Sequence, residues 1–119
     1  MRCPSGGLCS TLPLLNNSIV TITASVNPNG IQVPNCGVFF GDDQSGIIFG
    51  PGNELRHIWN NVAGTASFGS GLMLPTNQWT FVALVIQPTQ AQLYMVSNGV
   101  FSGVTNNVAN AIPGFNLAF

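Results

Sequence analysis

The stretch that decides the fold is WTFVALVIQ, residues 79–87. Every position from Phe81 to Ile86 is apolar, so a strand formed here would present an apolar surface on both faces. A segment of this kind is typical of a central strand that is covered on both sides. We therefore expect a β-strand in the middle of a sheet, with Trp79 packed in the core at its start.

Segments on both sides of this stretch follow the period of two that is typical of strands. Residues 18–27, SIVTITASVN, alternate along their length, with every second residue from Val20 to Val26 on one apolar face. Shorter strands are predicted at residues 36–41, 47–49, 54–59, 91–96 and 100–104. The Asn98-Gly99 pair favours a tight hairpin turn between the last two of them.

Helix is nearly excluded, because 14 glycines and 8 prolines interrupt the chain and no apolar stripe of helical period carries caps. Many short strands separated by turn residues predict an antiparallel two-sheet jelly-roll sandwich. The length predicts a single domain over residues 1–119.

The chain has only two basic and three acidic side chains among 119 residues, while 45% of its residues are hydrophobic. A nucleic-acid-binding protein needs a basic surface, so the composition excludes that function. The apolar content is too high for a disordered tail, and no run of roughly 20 apolar residues could span a membrane. The sequence as given carries no obvious signal peptide, as a mature or trimmed chain would also show. The low charge indicates an extracellular protein or a subunit that lives inside an assembly.

The three cysteines, Cys3, Cys9 and Cys36, cannot all pair within one chain. Cys3 and Cys9 could close a small loop, or either could tie the N-terminal arm to Cys36. The sequence also fits three buried or free thiols. A zinc site would need a fourth soft ligand, and His57 is the only histidine, so we do not expect zinc.

Short pieces follow one another in a distinctive order: Asn53-Glu54-Leu55, Trp59-Asn60, Ser70-Gly71-Leu72, Pro75, Asn77-Gln78-Trp79, Val82-Ala83-Leu84-Val85, Leu93-Tyr94 and Asn98-Gly99. This succession resembles the laminin-G-like, concanavalin A-like lectin and glucanase superfamily, in particular its bacterial branch. Residues 19–26 are similar to an upstream strand of that family, although Ser25 stands where an aromatic residue is usual. The resemblance implies a concanavalin A-like sandwich.

The family usually continues with further acidic residues and final core strands, which this sequence lacks before Phe119. We therefore expect either a fragment of a longer protein or a sandwich whose missing strands come from other chains. A sheet that lacks a strand presents free N–H and C=O groups at its edge, which favours pairing with a neighbour.

Sugar binding would use exposed aromatic rings beside amide hydrogen-bonding groups. Trp59 with Asn60 and Asn61 fits that description, and we expect Tyr94 to face outward as well. Packing of Trp59 in the core is the slightly favoured alternative.

Two further sites are suggested by short patterns. The adjacent Asp42 and Asp43 could begin a calcium site in a loop, as the resemblance also implies, although they also fit a solvated turn. The sequon at Asn16 would permit N-glycosylation in a secretory pathway.

The sequence contains no trusted catalytic constellation. Glycoside hydrolysis needs two suitably spaced carboxylates, and Glu54 lacks the closely spaced acidic set that glucanases of the resembled superfamily carry. A lone His57 on a strand face is more typical of a structural residue than of a catalytic base.

We expect a non-catalytic extracellular recognition or cell-adhesion module that binds a glycan or a protein surface. The alternatives are a subunit that self-assembles by strand completion into a filament or other oligomer and, less favoured, a relic of a glycoside hydrolase.

Overall fold

The computed structural model describes residues 11–13, 19–41, 45–60, 62–111 and 116–118. Several residues singled out in the sequence lie outside these ranges: Cys3, Cys9, Asn16, Asp42, Asp43 and Asn61. The predictions of disulfide bonds from the N-terminal arm, of glycosylation and of a calcium site therefore fall outside the described residues.

The described chain forms antiparallel strands almost throughout. In chain order they are β1 (Thr11–Pro13), β2 (Val20–Val26), β3 (Gly37–Gly41), β4 (Ser45–Phe49), β5 (Leu55–Ile58), β6 (Thr80–Gln87), β7 (Gln90–Ser97), β8 (Val100–Asn106) and β9 (Asn116–Ala118). One short 3-10 turn (Pro51–Asn53) precedes β5, and one four-residue helix, α1 (Ala63–Ala66), follows it. No helix among the described residues is long and apolar enough to cross a lipid bilayer.

Two sheets carry the architecture. One has four strands in the order β2-β6-β7-β8, the other has three in the order β3-β4-β5, and β1 pairs separately with β9. Every pairing is antiparallel. This arrangement confirms the prediction of an all-β fold with two antiparallel sheets. Two sheets are needed because the apolar residues that alternate along the strands of each sheet must be covered by a second layer.

The core lies between the two sheets. The four-stranded sheet contributes the inward side of each strand, and the three-stranded sheet contributes residues on β4 and β5 and at the end of β5. The large apolar residues buried in this cluster are Trp59, Ile22, Ile47, Phe49, Leu55, Leu74, Leu84, Ile86 and Leu93.

Strand β6 lies inside its sheet, between β2 and β7, as its apolar sequence predicts. The prediction that Trp79 packs in the core is wrong, because Trp79 is 68% exposed whereas Thr80 is 1% exposed. The alternation of β6 explains the error. The even-numbered positions of β6 face the core, so Thr80 is buried. The odd-numbered positions, which include Phe81, point outward.

The free edge of β5 is covered by the segment that follows α1. Leu55 donates its backbone N–H to the carbonyl of Leu72 at 2.7 Å, and the hydroxyl of Ser70 donates to the carbonyl of Leu55. These bonds satisfy backbone groups that an open edge would leave free. The β5 edge of the three-stranded sheet is thus covered. The outward face of the four-stranded sheet, in contrast, is exposed at several residues.

Candidate functional site

The outward face of the four-stranded sheet carries a cluster of large apolar side chains, which we call the aromatic face: Trp79, Phe81, Tyr94, Val96 and Phe101. Trp79 is 68% exposed, Phe101 66% and Phe81 45%. Tyr94 and Val96 are half-buried. Large exposed apolar side chains that share one face are typical of surfaces where another molecule binds.

The strand register arranges these side chains in a row. Phe81 on β6 lies directly opposite Val96 on β7, and Val96 lies opposite Phe101 on β8. Directly opposite residues in an antiparallel sheet project from the same face. Since neighbouring strands are about 4.8 Å apart, the two phenylalanines start from backbone positions about 10 Å apart.

The next row shows why the rings lie together. Tyr94 lies opposite Ala83 on one side and Gly103 on the other. Its ring leans over β8, and a Cβ atom placed on Gly103 would lie only 2.6 Å from the Cδ1 atom of Tyr94. From there the ring stacks on Phe101, with a centroid separation of 5.4 Å and an interplanar angle of 26°. Offset stacking of this geometry is a favourable arrangement for two aromatic rings.

Trp79 is held in place by hydrogen bonds from the two residues that precede it. Asn77 donates its backbone N–H to the carbonyl of Pro28 at 2.6 Å, just beyond the end of β2. The side-chain amide of Gln78 donates to Oγ of Ser97 at 3.2 Å and to Oδ1 of Asn98 at 2.7 Å. These bonds tie the segment before β6 to the β7–β8 hairpin, and so they anchor the chain at Trp79, two positions before Phe81.

The surroundings of the aromatic face are polar but uncharged. None of the four strands β2, β6, β7 and β8 contains a charged residue. The outward positions of β2 are the exposed hydroxyl residues Thr21, Thr23 and Ser25, which lie opposite Val85, Ala83 and Phe81. Gln92 and Thr105 add an amide and a hydroxyl on the other side. The face therefore offers aromatic rings bordered by neutral hydrogen-bonding groups.

The structure does not present Trp59 as a stacking platform. Trp59 is 1% exposed, and its indole N–H donates to the carbonyl of Ala111 at 2.9 Å. It is buried because it continues the inward side of β5, which also carries Leu55 and His57. The prediction that Trp59 stacks on a sugar depends on an exposed ring. Because the ring is buried, we do not include Trp59 among the ligand-binding residues.

Asn60 is exposed, but its contacts are structural. Its side-chain amide donates to the same Ala111 carbonyl at 2.7 Å, and its backbone N–H donates to Oγ of Ser45 at 2.8 Å. Asn60 and Trp59 therefore fasten the chain after β8 to the three-stranded sheet. Tyr94 is the residue of the predicted set that lies at the aromatic face.

Glu54 is the one acidic residue within the described ranges, and it is engaged on both oxygens. Its Oε2 pairs with Nε of Arg56 at 2.5 Å, and its Oε1 accepts the backbone N–H of Gly71 at 2.8 Å. The Arg56 side chain also lies across Gly50, so closely that a Cβ atom on that glycine would clash with Nε. These contacts fix the segment after α1 against β5, which is a structural role.

His57 is fully buried on the inward side of β5. Its ring meets Phe68 edge-on at a centroid distance of 6.3 Å, and neither ring nitrogen has a hydrogen-bond partner among the described residues. Burial lowers the pKa of His57 from 6.5 to about 4, because the charged imidazolium loses its hydration there. The residue is therefore neutral at physiological pH.

Cys36 is half-buried and forms no disulfide within the described part of the chain. Over the same part, no group of three or more His, Cys, Asp and Glu side chains is placed to hold a metal ion.

A family model described as the concanavalin A-like lectin/glucanases superfamily matches residues 5–118, nearly the whole sequence. No curated protein and no solved structure matches the chain. The match agrees with the two antiparallel sheets and with the resemblance noted in the sequence. The chain belongs to the concanavalin A-like lectin/glucanase superfamily.

Proposed function

We propose that this domain is a non-catalytic extracellular recognition module that binds a glycan through its aromatic face. The observation that carries the proposal is the exposure of Trp79 and Phe101, at 68% and 66%, on one face of the four-stranded sheet. Burying such rings against a ligand would remove apolar surface from water, which favours binding. A superfamily of lectins and glucanases supports a sugar ligand.

The chemistry around the rings favours a glycan over a protein surface. Sugar rings present apolar C–H faces and a rim of hydroxyl groups, which match aromatic rings bordered by Thr23, Ser25 and Gln92. Protein interfaces are enriched in Arg besides aromatic residues, and no charged residue lies on these four strands. The engagement of both Glu54 oxygens supports a binding role rather than hydrolysis, which needs two free carboxylates.

A panel of immobilised neutral and acidic polysaccharides tests the proposal. The unaltered domain should bind at least one neutral glycan, and Trp79→Ala should weaken that binding by at least about tenfold, as for an aromatic residue at the centre of an interface. Val62→Ala is the matched control, since Val62 is an exposed apolar residue near the other sheet. The proposal fails if no glycan binds, or if both variants bind as the unaltered domain does.

A second candidate function is self-assembly by strand addition. Among the described residues, no strand pairs with the far edge of β2 or of β8. Both are seven-residue strands that contain neither a charged residue nor a proline. Natural proteins use charged residues and prolines to protect open edges, so these two edges are unprotected. Light scattering and electron microscopy would reveal concentration-dependent polymers, which Thr105→Lys on β8 should suppress. A domain that stays monomeric at high concentration would exclude this function.

A further inference from the structure

We propose that the ligand of the aromatic face is an uncharged polysaccharide, which crosses the strands of the four-stranded sheet and is bound through internal units of its chain. This inference rests on the proposed function and adds to it the direction of the ligand, its charge and its minimum length.

The direction follows from the row of residues across the sheet. Phe81, Val96 and Phe101 lie on three adjacent strands at one level, perpendicular to the strand axes. The two phenylalanines are about 10 Å apart at the backbone, which is close to the length of a disaccharide unit in an extended glycan. A chain laid along this row would place sugar rings over both phenylalanines at once.

The ends of the row are open. Phe81 and Phe101, the aromatic ends of the row, are 45% and 66% exposed, and Ser25, which lies opposite Phe81 on β2, is exposed as well, so the described chain builds no wall beyond either ring. A site that recognised the end of a chain would need such a wall to stop the next sugar. An open row instead lets a polymer continue past both sides, so the bound units are internal ones.

The charge of the ligand follows from the composition of the sheet. Charged residues are absent from β2, β6, β7 and β8. The described charged residues, Glu54 and Arg56, pair with each other on the three-stranded sheet. A sulfated or uronic acid polymer would find no counter-charge on this face, and desolvating its anionic groups would oppose binding. The exposed hydroxyl groups of Ser25, opposite Phe81, and of Thr23, opposite Ala83, lie beside the row and suit a neutral glycan.

The test measures affinity against ligand length by calorimetry. The probes are soluble β-1,4-linked and β-1,3-linked glucose oligomers of one to six units, at low and at high salt. We expect affinity to rise at least about tenfold from the dimer to the pentamer. We also expect the monosaccharide not to compete, and added salt to leave binding unchanged, because exposed charge interactions are what salt screens.

Two variants separate the subsites. Phe101→Ala should lose most of the gain in affinity with longer oligomers, because one end of the row is removed. Val62→Ala should keep the full dependence on length. Circular dichroism of each variant checks that the fold is retained.

The outcomes that contradict the inference differ from those that contradict the proposed function. If a monosaccharide competes as well as a pentamer, or if acidic polymers bind best and salt weakens them, the domain binds glycans but the inference is wrong. If no glycan in the wider panel binds, the proposed function fails as well. If Trp79→Ala dissociates an oligomer of the domain, the face is occupied by a second copy, which overturns the inference.

Discussion

The ring of Tyr94 occupies the space above Gly103, so that a Cβ atom on that glycine would lie 2.6 Å from Cδ1 and 2.8 Å from Cε1 of the tyrosine. Glycine inside a strand is normally unfavourable and often marks a close approach by another group. Here the approaching group is an aromatic ring of the neighbouring strand, which then stacks on Phe101. The shape of the aromatic face therefore depends on a residue that has no side chain.

Gly103→Ala should displace the Tyr94 ring and weaken glycan binding several-fold. The change in stability should be small, within about 1 kcal/mol, because alanine suits a strand better than glycine and offsets the lost packing of the ring. Calorimetry and thermal unfolding measure the two effects. Gly64→Ala is the control, since no heavy atom lies within 4 Å of a Cβ at that position. Equal glycan affinity in both variants would show that the Tyr94 position does not matter.

The two tryptophans should respond in opposite ways to substitution. Trp59→Phe removes the indole donor to the Ala111 carbonyl and leaves a small gap in the core, which should lower the free energy of unfolding by about 1–3 kcal/mol. Its glycan affinity should stay unchanged. Trp79→Ala should weaken binding and leave the free energy of unfolding within about 1 kcal/mol of the unaltered value. Urea unfolding and calorimetry on both variants decide the matter, and loss of binding in Trp59→Phe with full stability would reverse the assignment.

Asn53 should contribute strongly to stability. It is fully buried, its Oδ1 accepts the backbone N–H of Gln32 at 2.7 Å, and its side-chain amide donates to the carbonyl of Gly30 at 2.9 Å. Glycine tolerates the backbone φ of 64° at this position, so Asn53→Gly removes both hydrogen bonds without straining the backbone. It should lower the free energy of unfolding by about 2–3 kcal/mol. A denaturation midpoint equal to that of the unaltered domain would contradict this role.

Acid should destabilise the domain through His57. The unfolded chain takes up a proton on this residue near pH 6.5, whereas the folded protein does so only near pH 4. Between these values the unfolded state binds more protons, so stability falls as the pH drops through that window and is fully retained above it. The shift corresponds to about 3 kcal/mol.

His57→Leu removes the titrating group and should flatten this part of the pH profile. Urea unfolding of the unaltered domain and of His57→Leu at about pH 7 and about pH 4.5 measures how much stability each protein loses in acid. Because both proteins carry the same carboxylates, the difference between the two losses reports the effect of His57. An identical loss of stability in both proteins would show that His57 is not the cause.

The fold was largely predictable because its signals are local. The apolar run of β6, the alternation of β2 and the Asn98-Gly99 turn each report a strand or hairpin without knowledge of the rest of the chain. Which face of β6 points outward was harder to predict, since both faces are apolar.

A signal for the outward face was nevertheless present in the hairpin partner. The short turn after β6 pairs Gln87 with Gln90 and Val85 with Gln92, so polar side chains mark the face that also carries Phe81 and Tyr94. Extending that parity backward would have placed Trp79 outside. The burial of Trp59 depended on contacts with Ala111, 52 positions away, which no local pattern reports.

The most direct test of the central claim uses the indole N–H signals of the two tryptophans in an NMR spectrum, assigned with Trp59→Phe. The titrant is the neutral glycan that binds most tightly in the panel. We predict that the Trp79 signal shifts in a saturable way while the Trp59 signal stays in place. A glycan that binds and moves only the Trp59 signal, or neither signal, would contradict the claim that the aromatic face is the binding surface.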